Sequence, residues 1–250
     1  MRYFVIFSYF GKSYHGWQNQ PNALTVQEVL ENAFSTLLRR PIALVGAGRT
    51  DAGVHAKEMF AHFDFEKIND VDNLVFRLNA FLPDDIAVSG IHEVSKDAHA
   101  RFDAVERTYE YWIVQKKNPF YTDRAHYSKY PLDVLEMNKA ALVLLEYDDF
   151  ECFSKSNTDV RTYECKIKKA IWEERGNTLI FTITADRFLR NMVRAIVGTL
   201  LDVGMGKSSL EDVRAVIESK NRSRAGVSVP AKGLYLTRVL YPENWITIHG

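Results

Sequence analysis

Asp51 and Arg49 are the residues whose types and spacing could do chemistry. They stand in the run Gly46-Ala47-Gly48-Arg49-Thr50-Asp51-Ala52-Gly53-Val54-His55-Ala56. A carboxylate serves as a nucleophile, as a general base or as half of an ion pair, and its neighbours decide which. Three glycines around a charged pair describe a loop, because glycine takes backbone angles that other residues take only with strain. An apolar run, residues 42–45, precedes the loop, and a strand-like run, residues 59–65, follows it. A carboxylate on a loop at a strand end is well placed to face a substrate. Three plainer readings compete. The loop could be an ordinary turn, with Asp51 bonded to its own backbone and Arg49 in solvent. A dinucleotide fingerprint would need glycine where Asp51 stands and a helix where a strand follows, and the carboxylate would repel phosphate. A metal loop would need more ligands than one carboxylate and one histidine.

A second group of candidates falls in a later helical pattern, residues 188–203. Leu189, Met192, Val193, Ile196, Val197 and Leu200 make an apolar stripe, and Arg187, Arg190 and Arg194 recur at i, i+3 and i+7. Arg194 flanks the stripe, so its guanidinium is expected to be partly buried and to need an anionic partner. No carboxylate stands three or four residues away on that helix. Asp51 is the expected partner, and a structural carbonyl or solvent is the alternative. Tyr109 lies in an aromatic strand pattern, where a core tyrosine is the ordinary explanation. Gly206-Lys207-Ser208 imitates the end of a phosphate loop, but Leu201 stands where the first glycine would be and a helix precedes it. The seven histidines have no metal spacing, and His15 and His55 read as loop residues held by hydrogen bonds.

The elements that must position these groups form two similar series. Residues 2–10 read as a central strand and residues 25–40 as a helix, with Thr25 and Glu28 as a capping box. After the loop, Met59, Ala61, Phe63 and Phe65 alternate with His62, Asp64 and Glu66, the pattern of a half-buried strand. A helix over 70–81 and a strand over 86–94 complete the order β-α-β-β-α-β. The second series has a strand over 105–114, a helix over 131–145 and strands over 163–172 and 178–185 joined at Arg175-Gly176-Asn177. A helix over 188–203 follows, then one over 208–218 capped by Ser208 with Glu211, and a strand over 234–241. The fold class is α+β, with two ferredoxin-like, or RRM-like, βαββαβ halves at residues 1–103 and 104–250. Trp17 in the first long loop is expected to cover the edge of the core.

Composition bounds the rest. At 250 residues and 46% hydrophobic content the chain can bury a real core. Thirty-two basic residues balance 32 acidic ones, which does not favour a nucleic-acid partner, and one would have to be met by a local basic face. Two cysteines, Cys152 and Cys165, have neither ligand nor framework spacing, and a reduced cytoplasmic setting follows. The start of the chain reads as a strand, not a signal peptide. No apolar run approaches a membrane span.

The run from Gly46 to Ala56 resembles the active-site signature of the tRNA pseudouridine synthases of the TruA family. Five further segments agree in order: Gly16-Trp17-Gln18, Ala100-Arg101-Phe102-Asp103-Ala104, Arg107-Thr108-Tyr109-Glu110-Tyr111, Phe188-Leu189 with Met192-Val193-Arg194, and Gly233-Leu234-Tyr235-Leu236. The first loop departs from the family, with Tyr9-Phe10-Gly11-Lys12 in place of a pattern like Y-D-G-T. The resemblance implies two halves joined into a mixed, largely antiparallel sheet platform, with helices on one side and a central active-site cleft. It implies isomerisation of uridine to pseudouridine at positions 38, 39 and 40 of the tRNA anticodon stem-loop. Asp51 is then the catalytic nucleophile and Arg194 its basic partner. Tyr109 lies against the target base, Arg49 holds the flipped nucleotide, and Leu234 joins them at the substrate. Arg187, Arg190 and Lys207 are the expected RNA-binding residues. The reaction needs no cofactor and no metal, and the family acts as homodimers on tRNA, with no membrane. The alternative is a non-catalytic RNA-binding or RNA-folding module on the same platform, which would need the basic face but not the Asp51 and Arg194 pair.

Overall fold

The computed structural model describes residues 1–155 and 161–242. These residues form an α+β chain in two compact units. One is Met1–Val105 together with the stretch that begins at Leu236, and the other is Glu106–Tyr235.

The first unit runs β1 (Arg2–Tyr9), α1 (Val26–Leu38), β2 (Val45–Gly46), β3 (His55–Asp64), α2 (Val71–Phe81) and β4 (Ile86–Val94). In its sheet β1 is central, antiparallel to both β3 and β4, with Tyr3 opposite Phe63 and Phe7 opposite Val88. The α1 helix covers the face that carries Tyr3, Phe7 and Phe63, with Phe34 packed on Phe63 at 4.9 Å. Thr25 caps α1 by accepting from the Glu28 backbone, and Asp70 caps α2 by accepting from that of Asn73. Thr25 adds a bond to Asn19, at 2.9 Å, and the reciprocal Glu28 half of a capping box is not formed.

Two expectations about this unit change. The β2 strand is only two residues long, because Ile42 and Leu44 are buried while Ala43 and Val45 face solvent, and only Val45 and Gly46 pair with β3. The β3 strand begins at His55, inside the expected loop, and is buried on both faces, not half-buried. Phe60 and His62 pack against Phe4 and Tyr241, and residues 98–103 lie over His62. The alternation of polar and apolar residues misleads here because the polar member, His62, is itself 5% exposed.

The second unit runs β5 (Glu106–Val114), β6 (His126–Tyr127), α3 (Val134–Val143), β7 (Ile167–Arg175), β8 (Thr178–Ala185), α4 (Met192–Gly204) and α5 (Leu210–Glu218). Strands β5, β8 and β7 are antiparallel neighbours in that order, and β6 adds a short parallel pairing to β5. Arg175 pairs with Thr178, so Gly176 and Asn177 are the hairpin turn, with Gly176 at φ +63. The α3 helix is locked to β7 by Asn138, whose side-chain amide donates to the Trp172 carbonyl and accepts from its N–H. The final strand, β9 (Leu234–Leu240), starts in this unit, and its later residues lie beside β3 in the first unit.

Four boundaries shift. The β7 strand spans Ile167–Arg175, starting four residues after the expected 163 and ending three past 172. The α4 helix starts at Met192, four residues late, because Asn191 adopts a left-handed φ of +67 that helical backbone cannot continue through. Arg187 and Arg190 therefore precede the helix and share no face of it with Arg194. The α5 helix is capped by Ser209 with Asp212, a complete capping box one residue later than expected. The α3 helix begins at Val134, capped by Asp133, and ends in a single tighter turn, Leu144–Glu146. Among the described residues no helix is long and apolar enough to cross a membrane.

Candidate active site

The Asp51 loop of the first unit is fixed from both ends. At its start, the Ala47 N–H donates to the Phe60 carbonyl at 2.8 Å, which extends the β2 and β3 pairing. At its end, the Asp51 carbonyl accepts from the Val54 N–H at 3.1 Å, closing a four-residue turn. Gly53 occupies the third position of that turn at φ +77, the geometry that selects glycine in a type II turn. It is the one glycine of the three held by its backbone angle. Gly46 is held by space instead, since a methyl there would stand 2.4 Å from Nε1 of Trp17. Nothing in the structure explains Gly48.

The loop also leans on the segment after β1. The Thr50 carbonyl accepts from the Trp17 N–H, and the Thr50 hydroxyl bonds to Tyr9 Oη at 2.8 Å. The Gly53 N–H donates to the Tyr14 carbonyl, and the Tyr14 hydroxyl donates to Asp85 at 2.5 Å. Gly16 passes so close that a methyl on it would lie 2.3 Å from the Thr50 carbonyl oxygen. His55 is buried, stacks on Phe10 at 4.2 Å and accepts the Gly11 N–H on Nδ1 at 2.9 Å. Trp17 is buried against Phe7, so it covers the core edge as expected. Sequence reasoning missed the role of this whole segment, because buttressing by Tyr9, Tyr14 and Gly16 leaves no local pattern.

Held this way, Asp51 is half-buried and Arg49 is exposed. Among the described residues Arg49 makes no hydrogen bond or ion pair. The two therefore do not pair with each other.

In the second unit, Arg194 is the third residue of α4 and is half-buried. Its Nε donates to the Val229 carbonyl at 2.7 Å, and its own carbonyl accepts from the Val229 N–H at 3.2 Å. The structural carbonyl considered from the sequence is thus real, and it occupies Nε. The chain at 226–229 can lie this close because Gly198 has no side chain; a methyl there would stand 2.0 Å from the Val227 carbonyl oxygen. Ser228 links Asn191 and Arg222, accepting from each at 2.6 Å.

Tyr109 is half-buried on β5 and meets Phe188 edge to face at 5.1 Å. Its neighbour on the same strand face, Tyr111, is fully buried and donates to the Pro230 carbonyl at 2.8 Å. Burial pushes the Tyr111 hydroxyl up from the ordinary tyrosine range, and the Arg194 charge opposes that shift. Leu234 is buried, and Gly233 before it is packed so tightly that a methyl would meet Tyr111 at 2.8 Å. Arg194 and Tyr111 therefore donate to neighbouring carbonyls, those of residues 229 and 230, while Tyr109 lies two residues before Tyr111 on β5 and Leu234 follows the tightly packed Gly233.

The expected RNA-binding residues are spread out. Arg187 is half-buried and donates to the Thr162 and Glu164 carbonyls. Arg190 is exposed, and its carbonyl accepts from the Lys155 N–H. Lys207 is exposed beyond the C-terminal end of α4, 3.9 Å from Asp202 and 5.8 Å from the Tyr130 ring centre. Cys152 and Cys165 are buried, and burial pushes each thiol up to about 12, so both are inert packing groups. Among the described residues no cluster of side chains could hold a metal ion.

Comparison with known proteins bears on this arrangement. The family model described as tRNA pseudouridine synthase matches residues 5–103 and 143–242. A tRNA pseudouridine synthase A of Bacteroides fragilis is 53% identical over 245 residues, covering 97% of each chain. That of Parabacteroides distasonis is 53% identical, also covering 97% of each. That of Bacteroides thetaiotaomicron is 52% identical, covering 97% of this chain and 91% of its own.

Proposed function

The chain belongs to the tRNA pseudouridine synthase family and is an isomerase acting on tRNA uridine, and from that premise we propose that it converts uridines 38, 39 and 40 of the anticodon stem-loop, with Asp51 as nucleophile. The observation that carries the assignment is the Asp51 loop, in which strand pairing, a glycine turn and the Thr50 contacts hold one half-buried carboxylate in place. Preorganisation of this kind supports a reacting group better than a solvated side chain does.

The reaction breaks the N-glycosidic bond between N1 of uracil and C1′ of ribose, turns the freed base, and joins C5 to C1′. The C5 proton leaves and N1 gains one, so atoms and charge balance without a cofactor. Asp51 attacks either the ribose carbon or the uracil ring, or abstracts a proton to give a glycal. Arg194 is the basic partner of the carboxylate in this reading. Its Nε bond to Val229 fixes the direction in which the rest of the guanidinium points. Tyr109 stacks on the target base, and Leu234 joins it in binding the substrate. A base reaches such a site only by leaving its stack, and exposed Arg49 holds the phosphate of the flipped nucleotide. The enzyme works as a homodimer.

The test is direct. Purified protein is incubated with an unmodified tRNA transcript that has uridines at these positions, and pseudouridines are mapped by carbodiimide-dependent primer-extension stops. Stops confined to the anticodon stem-loop are expected; stops elsewhere, or none, would sink the site assignment.

A further inference from the structure

The turn at residues 99–103 holds a solvent-facing aromatic ring more tightly than an ordinary surface loop would. His99 organises it. The Arg101 and Phe102 N–H groups both donate to His99 Nδ1, at 3.1 and 3.3 Å. The Asp103 N–H donates to the His99 carbonyl at 3.1 Å, and Asp103 Oδ2 accepts the His99 N–H at 2.8 Å. Ala100 in the middle is fully buried; its N–H donates to His62 Nδ1 at 3.1 Å, and its carbonyl accepts from the Tyr241 hydroxyl at 2.5 Å. Burial and the nearby Arg2 charge push His62 down to about 4, so it remains a neutral acceptor near neutrality.

Phe102 projects from this anchored turn. One part of its ring packs on His99 at 4.3 Å, the Arg101 guanidinium stands 5.6 Å from its centre, and 73% of the residue is still exposed. An apolar ring left in water on a hydrogen-bonded turn, with a cation beside it, matches an aromatic and anionic ligand. Among macromolecules that combination describes nucleic acid, whose bases stack and whose phosphates are negative. The geometry points to Phe102 as a base-stacking contact for the RNA substrate, with Arg101 meeting an adjacent phosphate. This rests on the reading that the substrate is tRNA, and assigns it a contact outside the Asp51 loop and distinct from Tyr109, Arg194 and Leu234. Because the turn is already ordered, little freedom is lost on binding, which favours affinity. A second copy of the chain covering the ring would instead appear as a change in oligomeric state.

The experiment compares wild type with Phe102→Ala, Phe102→Leu and Phe102→Trp. It measures tRNA affinity by fluorescence anisotropy, KM and kcat for pseudouridine formation, thermal unfolding and sedimentation. Loss of a stacked base should raise Kd and KM about 5-fold or more in the Ala and Leu variants, and Trp should restore both. Arg101→Gln should lessen the dependence of log Kd on log salt by about 0.7–0.9. The Tm should hold within about 2 °C, since the replaced ring is mostly in solvent. Leu behaving as wild type, Ala leaving Kd unchanged, or a change in oligomeric state that accounts for the loss would each overturn the contact. If the wild type makes pseudouridine while all the variants match it, this contact alone fails. If the wild type neither binds nor converts tRNA, the functional reading fails with it.

Discussion

Arg49 and Asp51 are two residues apart but occupy different surroundings, one exposed and one half-buried. That difference separates their tests. Replacing Arg49 by alanine should raise KM for tRNA several-fold and leave Tm unchanged, which steady-state kinetics and a melting curve would show. Arg194→Ala should act on the fold as well, because it leaves the Val229 carbonyl without its side-chain donor. Denaturant unfolding should report a loss of about 1–3 kcal/mol, more than a surface arginine is worth. His62 makes stability depend on pH. The folded protein holds it near 4, while an unfolded histidine titrates near 6.5. Between those values the unfolded chain binds more protons, so stability is full above about pH 6.5 and falls as pH drops toward about 4, by on the order of 2–3 kcal/mol. His62→Gln should flatten that part of the profile, and a variant as steep as wild type would point to other groups.

At the level of elements, regular periodicity was readable and irregular backbone was not. The α1 and α2 helices and β4 fall where capping residues and apolar spacing place them, β4 to the residue. The late start of α4 depends on the left-handed Asn191, and asparagine is only one of several residues that could have stopped the pattern there. The α5 cap, expected at Ser208 with Glu211, falls one residue later at Ser209 with Asp212, because two adjacent serines each with an acid three residues on look alike in sequence. Of the candidate site, the glycine-flanked acid was visible because it is local. The contacts of Tyr9, Tyr14, Gly16 and Val229 join residues far apart in sequence and leave no spacing to read. Gly53 connects the two levels. Gly53→Ala puts a side chain at φ +77 and should cost about 1 kcal/mol. Turnover should fall more than stability, about ten- to a hundredfold, because Asp51 moves with the turn. Equal Tm and kcat would show that the loop tolerates the change.

For the whole molecule, the notable property is a formal net charge of zero in a protein that acts on a polyanion. Attraction must then come from where the charges lie. Binding to tRNA should weaken linearly in log salt, by about 0.7–0.9 in log Kd for each single-strand or duplex phosphate neutralised, and a flat salt dependence would contradict a phosphate-led encounter. Both compact units carry motifs that resemble the family, and the family model matches a segment in each. The proposed chemistry nevertheless turns on one side chain. The most direct test is Asp51→Asn, assayed for pseudouridine formation and tRNA binding in parallel. The amide keeps the shape and loses the charge, so tRNA affinity and Tm should stay near wild type while product falls below detection. Product formed within tenfold of the wild-type rate would remove Asp51 from the chemistry.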